Sequence, residues 1–186
     1  FSYGPLVPAL IRSDALSVAE AGYVGAFNLA GYLVGALVTP AVRARFREAA
    51  ILKFCLWLSL VCLVASIAPW GFAWLAFWRF LVGCTVAVMM IGALTLVTRS
   101  APAERLGRAT GIVFTGVGVG ILFAGSMVPI LLRDGLATAW GGLAALGAVG
   151  VMIGHWGWSA ADAPPAPAPS GRAPLTPGIA RLVIGQ

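Results

Sequence analysis

Between Lys53 and Arg99 the chain carries a single charged residue, Arg79, preceded by 25 uncharged residues and followed by 19. A second uncharged run of 22 residues extends from Ala21 to Val42. Apolar runs of this length constrain the fold more than any other feature. About 20 apolar residues cross a bilayer as one helix. A transmembrane β-barrel would instead need alternating segments of about ten residues. The chain is 60% hydrophobic and 10% charged, where soluble domains carry about 25% charged residues. The expected fold is an all-α polytopic membrane protein.

Charges and turn residues divide the chain. Spans are expected at roughly 18–41, 49–68, 71–98, 109–132 and 136–158, preceded by a partial helix at 1–11. Pro69-Trp70-Gly71 and Arg133-Asp134-Gly135 supply turn chemistry. Residues 159–178 are rich in Pro and Ala and are expected to be an extended cytoplasmic linker between two membrane halves. Residues 179–186 resume an apolar pattern, expected to begin a seventh helix. The first and last segments read as helices cut short, so the bundle at 1–158 is expected to be part of a longer protein.

The distribution of Lys and Arg gives a topology. With Arg43, Arg45 and Arg47 in a cytoplasmic loop, nine of the 12 basic residues fall on that side, two fall on the other, and Arg79 lies within the membrane. The N-terminus and the linker are then cytoplasmic. The net charge of +6 reflects these loops rather than a nucleic-acid partner. Trp70, Trp74 and Trp140 near outer span ends, and Trp156 and Trp158 near an inner end, fit an interfacial belt. The three cysteines lie within apolar runs without metal-site or disulfide spacing, and His155 has no Cys or carboxylate companions, so no metal or cofactor is expected.

Arg79 belongs inside a helix. Phe77-Trp-Arg-Phe80 contains no turn residue, whereas Pro69–Gly71 does. With the turn there, Arg79 lies about 12 Å into the helix at 1.5 Å per residue. An arginine at such depth costs at least about 2.5 kcal/mol and characteristically faces a bundle interior or a watery cavity. Snorkelling along its own helix is the bland alternative. Asn28, with Tyr32 one turn on, could line the same cavity or could hold helices together by hydrogen bonding. Tyr3 is a further candidate of the same kind. Gly83, Gly116, Gly120 and Gly125 read as helix-packing positions.

Leu75, Arg79, Gly83 and Ala87 together resemble the fourth-helix arginine motif of the major facilitator superfamily, with Val82 and Thr85 replacing its usual Gln and Gly. Gly116, Gly120 and Gly125 match the glycines of the helix-5 antiporter motif, with Ile121 at its Pro and Ala124 at a Gly. Gly35 and Arg43 fit the loop motif after helix 2, and Thr39 stands at its Asp. Phe1–Pro8, Asn28–Ala36 and Glu104–Gly111 are similar to the YbfB/YjiJ-like branch. The resemblance covers essentially the whole chain as an N-terminal six-helix half. It implies secondary active transport of a small molecule by alternating access in the bacterial inner membrane, with proton-coupled efflux as one mode. It also implies that Arg79 serves substrate binding or proton coupling, in a cavity completed by a C-terminal half. The residues themselves leave two other classes open. One is a channel-like or structural membrane subunit. The other is an intramembrane serine hydrolase using Ser126 and His155, which fall toward opposite ends of their spans.

Overall fold

A computed structural model describes residues 3–68 and 70–157. The linker at 159–178, the segment 179–186, Pro69, Trp158, Arg172 and Arg181 lie outside the described residues. Six α-helices follow in order: α1 (Tyr3–Arg12), α2 (Val18–Arg45), α3 (Glu48–Ala65), α4 (Phe72–Ser100), α5 (Leu106–Leu131) and α6 (Leu136–Gly157). Among the described residues, five helical segments are long and apolar enough to cross a membrane. The ten residues of α1 extend only about 15 Å.

The helix boundaries have local causes. Ser17 starts α2 with a capping box: its hydroxyl accepts from the Glu20 amide at 3.2 Å, and the Glu20 carboxylate accepts from the Ser17 amide at 2.8 Å. Gly71 precedes α4 at φ +87°, and Gly135 precedes α6 at φ +108°. Both conformations suit glycine because it lacks a Cβ. The Trp74 indole donates to the Ala65 carbonyl at 2.8 Å, which ties the start of α4 to the end of α3.

One boundary corrects the sequence expectation. Helix α2 does not stop near residue 41 but continues through Pro40 to Arg45. Pro40 removes one donor without ending the helix. Only when Phe46 turns extended, at φ −128° and ψ 154°, does the chain leave it. Arg43 and Arg45 therefore stand on the last turn of a helix, and Arg47 is the cap position of α3.

The tightest packing is between α2 and α4, and it is made by glycine. A Cβ on Gly31 would strike the Phe80 carbonyl of α4. One on Gly35 would lie 2.5 Å from the Cys84 carbonyl oxygen, and one on Gly83 would meet the Asn28 carbonyl and come within 2.7 Å of the Tyr32 amide nitrogen. Backbone rests on backbone along three turns, the arrangement that small residues permit between membrane helices. Gly83 is one of these contact glycines; Gly116, Gly120 and Gly125 of α5 are not. A Cβ at each would meet open space, because α5 packs loosely and buries only Val128.

At the turn-bearing end, α1, α2, α4, α5 and α6 share an apolar core that includes Leu6, Val24, Leu75, Val128 and Trp140. Most other apolar side chains face outward. Leu29, Leu37, Leu122 and Ile153 are each 71% exposed. In water that would be unstable, and a bilayer supplies the missing partner.

Candidate functional site

Arg79 sits in the wall of this core. It lies on α4 one turn beyond Leu75 and one turn before Gly83, and is 4% exposed. Its guanidinium carbon is 5.1 Å from the centroid of the Tyr3 ring of α1 and 5.1 Å from that of the Trp140 ring of α6. Three helices therefore converge on one charge. The Tyr3 hydroxyl donates to the Ala21 carbonyl at 2.9 Å, which fixes that ring from the α2 side. Two of the guanidinium nitrogens, Nε and Nη2, are buried with no hydrogen-bond partner among the described residues. A snorkelling arginine would carry its head toward the interface. This one holds it inward between helices.

No carboxylate answers this charge among the described residues. Asp14, Glu20, Glu48, Glu104 and Asp134 all lie in links or first helical turns. Aromatic faces offset part of the burial, at about 0.5–2 kcal/mol for each cation–π contact. Two orphaned donors add a penalty of about 1–3 kcal/mol each.

The other sequence candidates fall differently. Tyr3 joins Arg79 directly. Asn28 flanks the site through its backbone, against Gly83, and its residue is half-buried. Tyr32 is 40% exposed, and its backbone lies against Gly83 of α4. Trp140 is a member of the site that sequence reasoning placed in the interfacial belt. It is only 2% exposed, although it lies five residues into its helix. Sequence position alone does not distinguish an inward from an outward tryptophan there. Ser126 donates to the Leu122 carbonyl of its own helix at 2.8 Å, and the His155 ring accepts from the Trp57 indole of α3 at 3.4 Å.

A second polar cluster lies at the opposite end of the bundle. Arg43 pairs with Glu48 at 3.0 Å and donates to the Thr95 hydroxyl at 3.1 Å, and Arg99 approaches the same carboxylate at 3.8 Å. One acid on α3 thus links basic residues of α2 and α4. Thr39, at the position where the loop motif carries Asp, is fully buried and returns its hydroxyl to the Gly35 carbonyl at 2.6 Å. The acid of the cluster therefore comes from Glu48, which the motif does not mark. Replacing Glu48 with Gln should lower stability by about 1 kcal/mol, read as a lower unfolding midpoint in the bilayer, and high salt should shrink the difference.

The family comparison bears on this arrangement. The family described as "Uncharacterised MFS-type transporter YbfB" matches residues 1–181. The chain belongs to this YbfB-like branch of the major facilitator superfamily. No curated protein and no solved structure matches it. As a major facilitator protein, the chain is a multi-pass membrane transporter, working in a lipid bilayer on a small molecule. The membership fits a non-enzymatic protein, in keeping with a serine that bonds back to its own helix and a histidine that faces α3.

Proposed function

We propose that this bundle is one half of an alternating-access transporter in the bacterial inner membrane, and that Arg79 is the group on which substrate or coupling acts. The supporting observation is the buried guanidinium itself: 4% exposed, contacted by two aromatic rings, and opposed by no described carboxylate. Such a residue is costly to insert. Ionisable residues within spans characteristically mark substrate, ion or proton pathways. A second six-helix bundle completes the cavity in this reading. Gly116 and Gly120, one turn apart on α5 and both facing open space, support it, since they leave room for another helix to approach closely. The end bearing Arg43, Arg45, Arg47 and Arg99 is cytoplasmic, by the bias of basic residues. Proton-coupled efflux is one mode of this reading; the helix-5 motif keeps three glycines but has Ile121 at its Pro and Ala124 at a Gly.

The test is transport by the full-length protein in proteoliposomes, screened with labelled metabolites and drugs under an imposed pH gradient. Arg79→Ala should reduce transport at least 100-fold while membrane insertion is unchanged, and Arg79→Lys should restore little, because a point charge does not replace a planar fork. Full transport by Arg79→Ala would remove Arg79 from the mechanism. Accumulation that collapses on dissipating the pH gradient would establish proton coupling.

A further inference from the structure

The two orphaned donors of Arg79 are not scattered around the guanidinium. Nε and Nη2 lie on the same side of the planar group, so their N–H bonds point outward in parallel along one edge. That edge is one of the two that arginine uses to take a carboxylate with two parallel hydrogen bonds. The rings of Tyr3 and Trp140 lie 5.1 Å from the guanidinium carbon and give that edge no hydrogen-bond acceptor. We infer that this Nε/Nη2 edge is the seat of a monocarboxylate substrate whose body is apolar.

The inference rests on the transporter reading and specifies its substrate. Three features select the class. The edge presents two parallel donors, which match the two oxygens of a carboxylate. The charge is single within the core: Lys53 and Arg99 lie toward the basic end of their helices, and Arg12 and Arg133, at the turn-bearing end, are exposed at the close of α1 and in the link before α6. One guanidinium balances one negative charge, so a monoanion fits better than a dianionic phosphate. The surroundings are apolar, with Leu75, Ala76, Leu143 and Trp140 in the same core, and suit a hydrocarbon or aromatic body. Trp140 is 2% exposed and fixed in α6, whereas Tyr3 is only half-buried and belongs to the shortest helix. The ligand therefore reaches the edge past Tyr3, by a shift of α1 that the Tyr3–Ala21 hydrogen bond restrains.

The experiment is thermal unfolding of the full-length protein in nanodiscs with benzoate or hexanoate, with the neutral benzamide and hexanamide as matched controls, and with inorganic phosphate as a third arm. At about ten times the dissociation constant, the carboxylates should raise the unfolding midpoint by about 3 °C. The amides should not. Arg79→Met and Arg79→Lys should both lose the shift while remaining folded, which intrinsic thermal transitions without ligand will show. Tyr3→Phe should keep it, because it retains the ring. The absence of a carboxylate shift in the wild type overturns the inference, as does an equal shift in Arg79→Met. A phosphate shift that depends on Arg79 and exceeds that of the carboxylates also overturns it. Transport of a neutral or cationic compound in proteoliposomes, with carboxylates inert, overturns the substrate class and leaves the transporter reading standing. Loss of both carboxylate binding and all transport counts against both.

Discussion

Exchanging Arg79 for methionine should raise the protein's thermal stability and abolish its transport. In the folded state the guanidinium is desolvated, and Nε and Nη2 have no partner. Placing an arginine deep in a span costs about 2.5–3.5 kcal/mol on insertion scales, before the orphaned donors are counted. The contacts with Tyr3 and Trp140 return about 0.5–2 kcal/mol each. Methionine has a similar length, no charge and favourable sulfur–aromatic contacts with the same two rings. Relief of about 1–3 kcal/mol is expected, in line with buried charges whose apolar replacements stabilise their proteins. Thermal unfolding in nanodiscs measures the first half and proteoliposome flux the second. A methionine variant less stable than wild type would mean that a partner satisfies the guanidinium in the membrane-embedded protein. Raised stability and lost transport together would support the proposal that the protein keeps an unfavourable arginine because transport requires it.

The second large effect concerns the contact of α2 with α4. Adding one methyl group at Gly31 or Gly83 should cost more than about 4 kcal/mol, the range reserved for disrupted cores. Each new Cβ would press on main-chain atoms of the facing helix: the Phe80 carbonyl for Gly31, and the Asn28 carbonyl and Tyr32 amide for Gly83. A side chain could rotate away, but backbone cannot, so the helices must separate along their whole contact. Gly92 shows the difference. Its Cβ would meet Leu52 Cδ2 at 2.8 Å, the end of a movable side chain. Gly120→Ala, facing open space, should leave stability unchanged or raise it by about 1 kcal/mol through helix propensity. Unfolding midpoints of the three alanine variants, measured side by side, decide the matter. Equal midpoints would mean that the glycines of α2 and α4 are not in backbone contact.

What could be read without coordinates follows from which signals are local. Five spans were legible because charge-free runs and turn residues such as Gly71 and Gly135 act on their own segment. The end of α2 was not, because helical geometry continues past Pro40 until Phe46 leaves it. Gly83 was legible as a packing glycine, and Gly31-x-x-x-Gly35 has the same four-residue spacing. Gly116 and Gly120 of α5 share that spacing and yet face open space. Spacing shows that a small face exists, not whether a helix lies against it.

The sequence by itself determined the solvent, the helical class, the number of spans and the presence of Arg79 within one of them. These depend on hydrophobicity and turn chemistry, which are properties of consecutive residues. The tertiary structure decided what surrounds that arginine. It brings Tyr3 from 76 residues upstream and Trp140 from 61 downstream onto one guanidinium, and it makes Glu48 the acid that joins Arg43 to Arg99. Such convergence depends on how helices rotate and pack against one another. No run of neighbouring residues encodes that rotation.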